Sequence, residues 1–262
     1  MHQEMDVCKN CEHPLQGKYC SNCGQKSDTH RFHLKHLMHE GFHAVTHTDT
    51  GILYLIKELA IRPGVVARQY LEGKRKRYYN PFTFLLVVLA LHAVLAKGTN
   101  IYGAFNKQAF EMVSKLDKED ADALKRTEEL RTLSEKQTKL TLENTKIVNF
   151  IGLPLLALFT WLFFKKSGFN YAENLLFNIM ITGEQYVFFI VLAIPIFLLA
   201  PSAIVWIMYL YILLVFVYTF IAYKQFYQQR WWPVVWRGVV LQTIWLTAFH
   251  YMSILFVQAF SR

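Results

Sequence analysis

Three groups of residues in this 262-residue chain have types and spacings that could do chemistry. The first is Cys8-Lys-Asn-Cys11 followed, after eight residues, by Cys20-Ser-Asn-Cys23 and Gly24. Residues i and i+3 of a tight turn can aim two sulfurs at one tetrahedral ion, and a second such turn completes a four-thiolate cage. Structural zinc is the expected occupant. Iron held in the rubredoxin manner is the alternative that ligand type leaves open. A thioredoxin-like redox pair needs a single CxxC in a βαβ setting, which the flanking sequence does not supply. A full cage keeps no open position for catalysis.

The second group is a histidine-rich stretch that carries six of the ten histidines between His30 and His47. At helical spacing His33, His36, His39, His43 and His47 fall on one side and Leu34, Leu37, Met38, Phe42 and Val45 on the other. The plainest reading is an amphipathic helix with a solvated imidazole face. A second metal site on His36, His39, His43 and His47, helped by Glu40, is one alternative, and a pH-responsive face is another. His39-Glu40-Gly41-Phe42-His43 also spells HExxH, the metalloprotease pattern of two ligands and a general base. It raises a membrane-embedded metal-dependent hydrolase, against which stand Gly41 inside the motif and the local abundance of histidine.

The third group is sparse: Glu184, Arg237, His250 and His92 interrupt long apolar runs, where an ionisable side chain is costly. Glu184 and His250 are expected to meet near mid-membrane. Glu184 could pair with a basic group and pin helix packing, or serve a proton or ion pathway in a small transporter or channel. Asn174, Asn178, Thr182 and Gln185 would line a polar cavity beside it, and Pro195 would kink the same helix.

The elements that position these groups follow from composition. With 53% hydrophobic and 16% aromatic residues, the chain is too apolar for an ordinary soluble domain of this length. The expected fold is an all-α polytopic membrane protein. It has a zinc-ribbon-like module over 1–26 and His-rich and basic surface helices over 27–80. A membrane domain over 81–262 follows, with spans at 81–96, 147–164, 174–200, 202–223 and 234–260. A helical insert, 97–146, with leucines in a shifting heptad seam, packs on itself or on a second copy. Asp49 and Thr50 would cap a helix that stops at Arg62-Pro63, and Gly73 would close the next. No cysteine is left for a disulfide, and no cleavable signal precedes the first pair, so the N-terminus is expected in the cytoplasm. Lys74, Arg75, Lys76 and Arg77, with Tyr78 and Tyr79, read as head-group contacts before the first span. Nucleic acid is the less favoured use of the net charge of +9. Lys165 with Lys166 and Lys224 with Arg230 flank alternate span ends, so the C-terminus is expected outside, in the periplasm if the cell is Gram-negative.

The order CxxC…YCxxCGQ, Arg62-Pro63-Gly64, Tyr70-Leu71-Glu72-Gly73-Lys74-Arg75 and Tyr79-Asn80-Pro81-Phe82 resembles a family of uncharacterised bacterial membrane proteins common in Bacteroidetes. The resemblance covers roughly residues 8 to 95. It implies a zinc-ribbon-like N-terminus fused to a membrane domain and brings no assigned reaction. The function expected is therefore non-enzymatic: the zinc module and surface helices recruit or sense a partner while the spans anchor.

Overall fold

A computed structural model of the protein describes residues 7–29, 31–34, 51–116, 121–143 and 145–260. The chain is all-α. Among the described residues the antiparallel bridges Val7↔Pro14 and Tyr19↔Lys26 are isolated pairs and build no sheet.

Helix α1 (Ile52–Ile61) and helix α2 (Pro63–Leu71) meet at Arg62, whose backbone is non-helical (φ −143°, ψ 61°). The cause is Pro63, which disfavours helical geometry in the residue before it and suits the first turn after it. The cap of α1 is Gly51 with no side-chain bond; Asp49 and Thr50 lie outside the described residues. Gly73 ends α2 at φ +115°, letting the Lys74 N–H reach back to the Gln69 carbonyl at 2.9 Å.

Helix α3 (Pro81–Thr99) starts on Asn80, whose Oδ1 accepts the N–H groups of Phe82 (2.9 Å) and Thr83 (3.3 Å). Helices α4 (Ile101–Leu116) and α5 (Ala121–Glu143) follow and pack together, with Asn106 bonded to Thr138 at 3.1 Å. The expected seam through Leu116, Ala123 and Leu130 is thus split between two helices, and Leu130 and Leu133 are exposed.

Then come α6 (Thr145–Phe163), α7 (Tyr171–Phe188), α8 (Ile194–Leu199), α9 (Ile204–Tyr227) and α10 (Trp231–Phe260). Pro195 lacks an N–H and its ring crowds the carbonyl four residues earlier. The ladder widens to a π-turn over Phe189–Ala193 between α7 and α8.

Among the described residues three stretches are long and apolar enough to cross a bilayer: Pro81–Thr99, Tyr171–Leu199 and Pro201–Tyr227. Ile151–Phe163 is apolar but shorter. Leu199, Trp206, Leu210 and Leu213 point outward, which in water would be a large uncompensated apolar surface and in lipid is ordinary solvation.

The chain divides into two compact units. The first comprises 1–87, 153–184 and 219–238. Its core is aromatic: Phe164 stacks on Tyr227 at 3.9 Å, Phe177 on Phe226 at 4.1 Å and Phe169 on Phe226 at 4.3 Å. A polar ladder is buried beside these rings. Tyr227 donates to Asn174 Oδ1 at 2.5 Å, and Asn178 donates to Thr160 Oγ1 at 2.9 Å. The second unit comprises 88–152, 185–218 and 239–262, with a core of Ile101, Phe189, Ala193, Ile194 and Ile204.

Candidate metal centre

Residues 7–14 and 19–26 fold as two copies of one knuckle, offset by twelve positions. In each, the first cysteine's N–H bonds a carbonyl five residues on: Cys8 to His13 at 2.9 Å, Cys20 to Gln25 at 2.8 Å. In each, the residue after the second cysteine returns its N–H to the first: Glu12 to Cys8 at 2.7 Å, Gly24 to Cys20 at 2.9 Å. That residue is left-handed in both, with φ +62° at Glu12 and +71° at Gly24. The sequence signal is Cys-x-Asn-Cys, repeated.

The knuckles bring all four Sγ atoms within 4.8 Å of one another. Cys8 and Cys23 approach to 3.6 Å, as do Cys11 and Cys20. Four sulfurs bonded to one ion at about 2.3 Å stand about 3.8 Å apart at the corners of a tetrahedron. The cysteines are free rather than disulfide-linked, so the cluster fits a metal ion. The N–H of His13, helped by the Asn22 side chain against some burial, holds the Cys11 thiol down to about 7, while burial pushes Cys23 up to about 11.

This module is stitched to the loop between α2 and α3 by residues next to the cysteines. Gln25, buried, donates to the Gly73 carbonyl at 2.8 Å and accepts the N–H groups of Arg75 and Lys76, both at 3.1 Å. Asn10 Oδ1 accepts the Arg77 N–H at 3.0 Å. It is the φ of +115° that calls for glycine at 73; a Cβ there would meet the movable Lys9 side chain at 2.8 Å. On the other side α2 lies directly on the end of α9. A Cβ at Gly64 would come within 2.4 Å of the Ala222 carbonyl oxygen, and the Gly64 N–H donates to Gln225 Oε1 at 3.0 Å.

The chain leaving the module is tied to the start of α7. Asn170 and Glu173 form a capping box: the Glu173 N–H bonds Asn170 Oδ1 at 2.9 Å and the Asn170 N–H bonds Glu173 Oε2 at 2.7 Å. Arg31 closes on that carboxylate with two bonds, 2.7 and 2.8 Å, and donates to the Gly168 carbonyl at 2.6 Å. Asn170 donates to the Phe32 carbonyl at 2.9 Å. Sequence reasoning missed Asn10, Gln25, Arg31, Asn170 and Glu173. The Asn-x-x-Glu box was readable locally, whereas the long-range partners carry no local signal.

The four basic residues after Gly73 are not equivalent. Arg75 stacks over the Phe32 ring at 3.9 Å, and Arg77 donates twice to the Tyr54 hydroxyl, at 2.9 and 2.7 Å. Lys76 is exposed and Lys74 half-buried.

Of the groups in the apolar runs, Glu184 in α7 is fully buried, and neither carboxylate oxygen has a hydrogen-bond partner among the described residues. His92 in α3 is buried, its Nε2 3.1 Å from the Tyr102 hydroxyl, its Nδ1 without a partner among the described residues. Its ring packs on Tyr186 at 4.7 Å and Phe189 at 5.1 Å. Arg237 lies near the start of α10, where it donates to Gln229 Oε1 at 2.7 Å. His250 is in α10 with its side chain outside the described part, so its meeting with Glu184 is not tested. His36, His39, Glu40, His43 and His47 lie outside the described residues, and His33 is exposed.

Residues 49–92 match the model of a family described as a protein of unknown function (DUF3667). The match covers α1, α2, the basic loop and the first half of α3, and falls within the stretch that carried the family resemblance. Comparison with curated proteins and with solved structures gives no match.

Proposed function

We propose that this chain is a non-enzymatic integral protein of the bacterial inner membrane, whose cytoplasmic four-cysteine module holds one zinc ion and recruits or senses a protein partner. In this reading residues 1–26 are the zinc module, 27–80 lie at the membrane surface and 81–262 carry five spans, with 97–146 and the C-terminus in the periplasm. The spans correspond to α3, α6, α7 with α8, α9 and α10. The placement of Lys74 to Arg77, Lys165 with Lys166, and Lys224 with Arg230 at alternate span ends supports that orientation. Zinc suits a closed thiolate cage that needs no redox change, and the reducing cytoplasm keeps the thiols available.

The observation that carries the reading is a closed cage fixed rigidly to helix ends. Four cysteines fill the coordination sphere, and Asn10, Gln25 and Arg31 fix the module and the chain leaving it to those ends. Such an arrangement presents a surface and performs no reaction. Val7 and Tyr19, at equivalent positions of the two knuckles, are 55% and 64% exposed and form the apolar part of that surface. A photo-crosslinking residue at Tyr19 in living cells should yield one discrete adduct, abolished by Cys20→Ser. An adduct of equal yield in Cys20→Ser would refute the role of the module.

One observation favours a second reading. The buried Glu184 carboxylate lacks a hydrogen-bond donor among the described residues, as a proton-carrying group of a small transporter would between partners. Glu184→Gln should then leave expression intact and abolish a transport phenotype; full activity of the variant would remove that reading. The hydrolase reading through His39, Glu40 and His43 gains no support from the described residues.

A further inference from the structure

Three sets of cations in the first unit differ in what holds them. Arg31, Arg62 and Arg68 have carboxylate partners in Glu173, Glu58 and Glu72. Arg75 and Arg77 are held by Phe32 and Tyr54. Lys165, Lys166, Lys224, Arg230 and Arg237 have no carboxylate partner among the described residues.

Two of this last group are drawn together. At the turn between α9 and α10, Lys224 Nζ donates to the Gln229 carbonyl at 2.5 Å, and Arg237 Nη1 donates to the Gln229 side-chain oxygen at 2.7 Å. One residue thus holds two cations, and both acceptors are neutral. The walls are aromatic: Lys224 lies 5.9 Å from the Trp231 ring, and Arg237 lies 5.3 Å from Trp236 and 5.6 Å from Phe164. Trp231 and Trp236 are themselves exposed. Two uncompensated cations beside exposed indole rings at the end of an apolar helix match an amphiphile with a negative head and an apolar tail.

We propose that Lys224, Gln229 and Arg237, with Trp231 and Trp236, form a site for the phosphate of an anionic phospholipid. The site rests on the membrane placement proposed above. Arg75, stacked on Phe32, and Arg77, exposed and bonded to the Tyr54 hydroxyl, are a separate set of cations.

The test uses purified full-length protein in vesicles of phosphatidylcholine and phosphatidylglycerol, with bromine on one lipid or the other, and reads quenching of tryptophan fluorescence. Brominated phosphatidylglycerol should quench beyond its mole fraction. The enrichment is about fivefold per cation, up to about 25-fold for the pair. Lys224→Gln with Arg237→Gln should abolish the excess, whereas Arg75→Gln with Arg77→Gln should keep it. Lys224→Arg with Arg237→Lys should also keep it, and about 0.5 M salt should suppress it in the unmodified protein, independently of any folding defect. Equal quenching by both lipids in the unmodified protein, or an undiminished excess in the double glutamine variant, overturns the site. Failure of the protein to float with the vesicles overturns the membrane placement and the site with it.

Discussion

Gln25→Ala tests whether the cysteine module and the helix ends are one mechanical body. The substitution removes three hydrogen bonds, one to the Gly73 carbonyl and two from the Arg75 and Lys76 N–H groups, at a buried side chain. Each bond contributes about 1 kcal/mol net, and stranded backbone groups that water cannot reach add to the cost. Loss of docking free energy of about 3 kcal/mol follows, or roughly a hundredfold rise in the undocked population. Hydrogen exchange resolved by mass spectrometry reads this at the Arg77 amide, whose own acceptor, Asn10, is untouched by the change. Because docking and metal retention are linked, metal transfer to a chelator should accelerate as well. Unchanged Arg77 protection together with an unchanged chelation rate would refute the coupling and leave Gln25 a local filler.

The knuckle repeat gives a second prediction: Glu12 adopts the left-handed backbone that Gly24 adopts without penalty, so Glu12→Gly should slow metal release by the equivalent of about 0.5–1 kcal/mol. Gly24→Ala should speed release by a similar amount, and a neutral result in both would contradict the backbone argument. Once metal is stripped at pH 7.5, an alkylating reagent followed by peptide mapping should label Cys11 before Cys23, because Cys11 titrates at about 7 and Cys23 at about 11. Labelling of Cys11 should fall as pH drops below 7, where its thiolate is lost. In the loaded protein acidification should release the metal, since protons compete for the same thiolates.

The cysteine cage was legible because its geometry is local: two CxxC turns suffice to converge four sulfurs. The apolar helices were legible by length and composition, and the distortion between α7 and α8 by Pro195. The basic loop was legible only in part. Lys74 to Arg77 read as four equal head-group contacts, because nothing near them in sequence reveals that Phe32 and Tyr54 return to take up Arg75 and Arg77. Arg237 read as a charge where the last span begins, which is where it lies, but its bond to Gln229 gives no local signal. The Asn170 and Glu173 capping box follows from its own spacing, whereas Arg31, 142 residues away in the chain, gives no sign of being its partner.

That separation has a consequence for how the protein is made. Cys8 and Cys23 are 15 residues apart, so the cage can close around its metal soon after these residues leave the ribosome. The groups that hold it in place arrive in stages: Gln25 and Asn10 find Gly73 to Arg77 within 67 residues, whereas Arg31 must wait for Gly168 and Glu173, and α2 for Gln225 and Phe226, 161 and 158 residues after Gly64 and Arg68. During synthesis the module can therefore dock on the loop after α2 before the later helices that hold α2 and Arg31 exist. The body that α2, the basic loop and the module form is completed only when the last residues of α9 are in position.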